Sequence, residues 1–296
     1  MADITLLDGG MGQELIHRAG DQPTPLWSTQ VMIDRPGLVR AVHSDYFDAG
    51  ATIATTNTYA IHRDRLVNAG VEDQFNALHQ AALSEAAEAR TSHGSGRIAG
   101  AIGPLGASYR PDIHPELSVS VPLYAEVAQV LAPHVDVILF ETVASVLHAR
   151  ATLEAGLTTD KPVWIAVTID DENGALLRSG EPVADILPYM EGAAALLANC
   201  SAPEAMPAAL EQLAKSGLPF GAYANGFTQI TNDFLQDAPT VDSLSARRDM
   251  GPVAYADQVM TWVDMGATIV GGCCETGPAH IAEIARRLAA AGHVIV

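Results

Sequence analysis

Eight times along this chain a short apolar run rich in β-branched residues is followed by a segment of helical period, and no other feature restricts the fold as strongly. The candidate strands are 4–8, 51–57, 97–103, 135–141, 163–169, 194–199, 219–224 and 267–272. The helical segments that follow are about 37–48, 72–92, 121–133, 145–156, 182–191, 203–216, 252–265 and 278–291. Strand then helix, repeated eight times, predicts an α/β protein with the parallel (β/α)8 architecture of a TIM barrel. A chain of 296 residues accommodates one such barrel, and no linker, low-complexity tract or charge block divides it, so residues 1–296 read as one domain.

One internal echo agrees with modular construction. "DAGATIATT" (48–56) and "DMGATIVGG" (264–272) share Asp-x-Gly-Ala-Thr-Ile at a helix-to-strand join, where Gly50 and Gly266 are expected to take the left-handed C-cap. The helix-to-strand joins are short, whereas the segments after strands 1, 3 and 7 (about 9–36, 104–120 and 225–251) are long and read as loops. In a barrel of this kind the strand-to-helix loops form the active-site face, so the long segments gather at one mouth.

The formal charge of −19 argues against nucleic acid or an anionic membrane as partner, because phosphate recognition needs a basic face. No run approaches the roughly 18 apolar residues of a membrane span. The start "MADITLLDGG" has no basic leader and runs directly into a strand, so the cytoplasm is the expected location. Oligomeric state cannot be read from the sequence, which leaves room for a homo-oligomer. The only lysines, Lys161 and Lys215, fall before strand 5 and at the end of helix 6, on the face opposite the mouth. A Schiff-base aldolase, which needs a lysine at the mouth, is thereby disfavoured.

The polar residues expected at the carboxyl ends of the strands are Asp8, Thr56, Asn57, Glu141, Thr142, Asp170, Asn199, Cys200, Asn225, Cys273 and Cys274. All three cysteines of the chain are in that set, Cys200 in "LLANCS" and an adjacent pair in "GGCCE". Consecutive strand residues face opposite sides, so both adjacent thiols reach one point only if the backbone leaves strand geometry, which Gly271 and Gly272 permit. Three converging thiolates with one open position fit catalytic zinc, and soft sulfur favours zinc over magnesium or calcium. Inert buried thiols, a vicinal disulfide and a redox switch are the alternatives that spacing leaves open. A phosphate-binding barrel would use Gly271-Gly272 and leave the cysteines unexplained.

The stretches "DGGMGQEL" (8–15), "PLWS" (25–28), "TTNTY" (55–59), "GPLGA" (103–107), "FET" (140–142), "NCS" (199–201) and "GGCC" (271–274) together resemble the homocysteine S-methyltransferase family. The resemblance runs from strand 1 to helix 8. It implies a zinc-dependent barrel enzyme that methylates the thiol of homocysteine to give methionine, with Cys200, Cys273 and Cys274 as zinc ligands. It further implies that Asp8 and Glu141 hold the substrate ammonium and that Asn199 orients the group beside it. The main chain of Gly9 and Gly10 would admit the substrate carboxylate, and Trp27 would meet a cationic methyl donor through its ring.

A sulfonium such as S-methylmethionine or S-adenosylmethionine is the donor this resemblance favours. Betaine, a corrinoid or folate partner protein, and a non-enzymatic zinc or thiol sensor are the alternatives. The chain departs from the family where Glu275-Thr276-Gly277-Pro278 follows the cysteines, a place usually held by a small or basic residue and two threonines. It departs again at "YANGFTQI" (223–230). Both changes fall on the donor side.

Overall fold

The computed structural model describes residues 1–20, 28–227 and 247–296. Its strands are β1 (Asp3–Leu6), β2 (Ile53–Thr55), β3 (Arg97–Ile102), β4 (Val137–Val143), β5 (Val163–Val167), β6 (Ala195–Asn199), β7 (Phe220–Tyr223), β8 (Ile269–Val270) and β9 (Val294–Ile295). They form one parallel sheet in the order β2-β3-β4-β5-β6-β7-β8-β1-β9. The sheet closes where Leu7 bridges Ile53, with the Thr52 N–H donating to the Leu6 carbonyl at 2.7 Å and the Asp8 N–H to that of Ile53 at 3.2 Å. The result is the predicted (β/α)8 barrel. Strand β9 is an addition, laid against Asp3 and Ile4 at the end away from the mouth.

Alternation along the strands separates two cores. Leu7, Ile53, Leu139, Trp164, Leu197 and Ile269 belong to the buried cluster that fills the lumen. Ile4, Leu6, Ile138, Phe140, Ile165 and Leu196, one residue out of phase, pack outward against the helices. Strands buried on both faces read as continuous apolar runs, which is why all eight could be recognised. The same phase places Glu141, two residues beyond Leu139, and Asn199, two beyond Leu197, at the top of the lumen.

The helices are α1 (Met11–Ala19), α2 (Ser28–Asp34), α3 (Leu38–Asp48), α4 (Arg63–Ala69), α5 (Phe75–His93), α6 (Leu117–Leu131), α7 (Val146–Gly156), α8 (Met206–Leu213), α9 (Pro252–Asp264) and α10 (Pro278–Ala290). The echoed joins adopt one geometry. Gly50 and Gly266 have φ of 106° and 99°, and the next N–H, from Ala51 or Ala267, returns to the carbonyl of Tyr46 or Trp262. This six-to-one bond closes a Schellman-type cap.

Three expectations are corrected. The segment 9–36, read as a loop, contains α1 and α2; the buried stripe of α1 is only Met11, Gly12, Leu15 and Ala19, and the glycines before it disguise a helix start. A further helix, α4, follows β2. The segment 182–191, read as an α-helix, forms 3-10 turns over Val183–Tyr189, with Pro182 before it and Pro188 inside it removing the N–H donors an α-helix would use. Lys161 lies before β5 and Lys215 after α8, on the face away from the mouth, as expected. No helix among the described residues is long and apolar enough to cross a membrane.

Candidate active site

The three cysteine sulfurs meet at the mouth of the barrel, all within 4.8 Å of one another. Cys200 follows the last residue of β6 in a left-handed conformation (φ 48°), its N–H donating to the Tyr223 carbonyl of β7 at 3.2 Å. Regular pairing of β8 ends at Val270, so the adjacent cysteines lie in a turn and not in a strand. That turn is fixed by the main chain: the Cys273 N–H donates to Ala224 at 3.0 Å and the Gly226 N–H to the Cys274 carbonyl at 2.8 Å. On its other side the Gly272 N–H donates to the Asp8 carbonyl at 3.0 Å and the Gly10 N–H to that of Thr276 at 2.9 Å. A side chain at Gly272 would collide with Thr276, so glycine is there for close approach.

Cys200 and Cys273 are joined as a disulfide, with Cα atoms 5.8 Å apart, and Cys274 is a buried free thiol. The bond links the ends of two strand regions and is not vicinal, which removes one of the alternatives. Burial, helped by the charges of Glu275 and Glu141, pushes the Cys274 thiol up to about 12, so without a cation it stays protonated at neutral pH.

Two carboxylates share the mouth. Asp8 is 1% exposed, and its oxygens accept the Thr55 N–H at 2.7 Å and the Thr55 hydroxyl at 2.9 Å. Burial raises its pKa to about 8 against the pull of those bonds, and the charge of Glu141 pushes the same way. Glu141 is partly accessible, yet lies deep enough below the rim that burial raises it to about 7, opposed by the Tyr223 hydroxyl, which donates to Oε1 at 2.8 Å. Two carboxyls held near neutrality in one pocket favour a ligand that brings positive charge.

The aim of Glu141 depends on a bulge. The β4–β5 register shifts between Phe140 and Val143, and Thr142 takes a left-handed φ of 58°. Asn199 holds it there: its Oδ1 accepts the Thr142 N–H at 3.0 Å, and its Nδ2 donates to the Thr142 hydroxyl at 3.4 Å. Asn199 therefore positions the Glu141 segment through Thr142. Tyr109, Thr142, Cys200 and Glu275 are the four non-glycine residues with positive φ among the described residues, and each lies in a barrel strand or in the strand-to-helix segment that follows one. Such conformations persist where surrounding structure imposes them, and they concentrate at functional sites.

A family model described as homocysteine S-methyltransferase matches residues 5–288. The homocysteine S-methyltransferase of Escherichia coli (strain K12) is 30% identical over 307 residues, spanning 96% of this chain and 95% of that protein. The chain belongs to the homocysteine S-methyltransferase family. It is an enzyme of that methyltransferase class, for which homocysteine and a methyl donor are the small-molecule substrates the family implies. Among solved structures, the homocysteine methyltransferase MmuM from Escherichia coli in its metallated form is similar over 96% of both chains, at 29% identity and a TM-score of 0.80. Its oxidized form is similar to the same extent, with a TM-score of 0.80 at 28% identity.

The family's cysteine cluster fits a metal here. Sulfurs about 2.3 Å from one tetrahedral ion lie roughly 3.8 Å apart, and the three of this chain fall within reach of that spacing once the Cys200–Cys273 bond is reduced to thiolates. Other predicted residues take local roles. The Asp170 carboxylate accepts the N–H groups of Glu172 and Asn173, Asn225 that of Phe227, and Asn57 donates to the Ser28 carbonyl. Gly9 and Gly10 back onto the Cys273–Thr276 turn, where the Gly10 N–H is already engaged. Trp27 lies outside the described residues.

Sequence reasoning passed over Thr55 and Tyr223, which hold the two carboxylates, and Tyr109 and Phe227, whose rings pack against Cys200 and Cys274. Thr55 and Tyr223 were detectable by phase, each being the last residue of its strand and pointing inward.

Proposed function

We propose that this chain, acting as one homocysteine-binding barrel over residues 1–296, is a zinc-dependent S-methyltransferase that moves a methyl group from a sulfonium donor to homocysteine, giving methionine. The observation that carries the reading is the placement of two carboxylates, buried Asp8 and half-buried Glu141, at the mouth that also holds the three sulfurs. A sensor using the same cysteines would gain nothing from two further acids in an already anionic pocket; a substrate with an ammonium and a thiol accounts for both sets.

Asp8, steadied by Thr55, and Glu141, steadied by Tyr223, take the substrate ammonium, and its charge displaces the protons that burial keeps on them. Gly9 and Gly10 let the substrate carboxylate approach the first turn of α1, whose N–H groups favour negative charge. Asn199 keeps Glu141 aimed through the Thr142 bulge, and recognition of the cationic donor is assigned to Trp27. Cys200, Cys273 and Cys274 would hold zinc, whose chemistry is to keep a coordinated thiol deprotonated and nucleophilic at neutral pH. The homocysteine thiol releases its proton to solvent, its sulfur pair forms the new S–CH3 bond, and the donor S–CH3 pair stays on the leaving sulfur, which departs as a neutral thioether.

The test is methionine formation by reduced, zinc-loaded protein from homocysteine with S-methylmethionine, S-adenosylmethionine and betaine in parallel. Turnover with a sulfonium and about one zinc per chain, both lost in Cys273→Ser, is expected. Full activity in Cys273→Ser refutes the zinc–thiolate reading, and turnover with betaine alone refutes the sulfonium.

A further inference from the structure

Glu275 is a strained residue at the mouth that the chemistry above leaves without a task. It follows Cys274 directly and takes a left-handed φ of 63°, a conformation that glycine or asparagine would adopt more readily. Its side chain is partly exposed at the rim, with Cβ over Gly226 and Oε1 accepting from the Gln13 amide of α1 at 2.5 Å. It is the leading charged neighbour of the Cys274 thiol.

Among the described residues no arginine or lysine forms an ion pair with Glu275. Residues 21–27 and 228–246 contain no arginine, lysine or histidine at all. His280 of α10, within electrostatic reach, accepts the Gly277 N–H at Nδ1 and turns Nε2 to the Met250 carbonyl, the pattern of a neutral imidazole. Arg178, behind the ring of Tyr109, is committed to Asp171. The rim thus holds a fixed carboxylate whose described partner is a neutral amide. Beside it, the rings of Tyr109 and Phe227 pack on the sulfurs. A carboxylate and aromatic faces around one opening are what a compact organic cation binds.

We propose that Glu275 determines donor specificity, attracting a positively charged methyl donor and holding its charge beside the sulfurs until transfer. This rests on the proposed methyl-transfer function and deepens it. As the methyl group passes from sulfonium sulfur to thiolate, cation and anion cancel, so the carboxylate interacts with the bound donor more strongly than with the transition state. Removing it therefore raises the donor KM and leaves kcat unchanged or higher.

The experiment compares wild type with Glu275→Gln and Glu275→Gly in the zinc-loaded enzyme, using a sulfonium donor and, as neutral probe, methyl methanesulfonate. Glu275→Gly also relieves the left-handed backbone, so it tests the charge in a protein free of that strain. Expected in both variants is a rise in sulfonium KM of about 5- to 30-fold, the scale of one partly solvated charge pair. The homocysteine KM, metal content and neutral-probe rate should stay within twofold, and Glu275→Asp should restore most of the donor affinity. Unchanged sulfonium KM in both variants overturns the proposal, as does a parallel rise in homocysteine KM. Should wild type fail to methylate homocysteine with any donor, it is the underlying function that has failed.

Discussion

Replacing Asn199 by alanine tests how the site is assembled. The substitution strands the N–H of Thr142, which is fully buried and now donates to Asn199 at 3.0 Å. A buried donor left without a partner costs about 1–3 kcal/mol. Thr142 is also a β-branched residue at φ 58°, a conformation worth about 1–3 kcal/mol of strain that lasts only while its surroundings enforce it. Two outcomes are therefore coupled. If the bulge holds, urea denaturation shows the full loss of about 1–3 kcal/mol and homocysteine KM barely moves. If it relaxes, released strain offsets part of the loss, but Glu141 swings away from the mouth. Losing a hydrogen bond to a charged group, about 1.5–3 kcal/mol, then raises homocysteine KM roughly 10- to 150-fold with metal content unchanged. Stability within about 0.5 kcal/mol of wild type together with KM within twofold would refute the claim that Asn199 holds this bulge.

Three further outcomes are expected. Asp8 at about 8 and Glu141 at about 7 bind protons more tightly folded than unfolded, so ligand-free reduced protein should lose stability as pH rises from about 6.5 to 8, less so in Asp8→Asn. On the acid side, buried His43, His62, His79 and His148 and half-buried His114 are held well below their ordinary range, so stability should also fall as pH drops through about 6.5, where the unfolded imidazoles charge. A Tm that climbs from about pH 6.5 to 8 would contradict the first sign, and one that falls from about pH 5 to 6.5 the second. Gly10→Ala would place a methyl 2.5 Å from the Cys273 carbonyl and 3.1 Å from Cys274 Cα, so metal affinity by chelator competition should drop at least about tenfold; undiminished affinity would show that the turn tolerates displacement. Tyr223→Phe removes the bond that favours ionised Glu141, so the acid limb of kcat/KM for homocysteine should move to higher pH, and an unmoved limb would sever the two residues.

What could be read in advance follows the range of the forces involved. Strands such as 135–141 and 194–199 announce themselves because burial on both faces demands apolar residues throughout. The cysteines were readable because few structural uses explain adjacent thiols after two glycines. Residues whose work depends on a distant partner were not. "FET" reads as plain strand, and the left-handed turn at Thr142 is imposed by Asn199, 57 positions away. Tyr223 shows its inward phase but not that its hydroxyl reaches Glu141, 82 positions earlier. The short helix α1 escaped because a narrow apolar stripe behind "DGG" looks like a turn.

The segments carrying the sulfurs are tied to their neighbours mostly through amides and carbonyls: Gly272 to Asp8, Gly10 to Thr276, Cys273 to Ala224, Gly226 to Cys274, Cys200 to Tyr223. Peptide groups are the same whatever side chains they bear. Substitutions around the opening can accordingly alter what enters while the reactive triangle keeps its shape, so descendants of such a chain are free to change methyl source long before they lose the grip on a thiol.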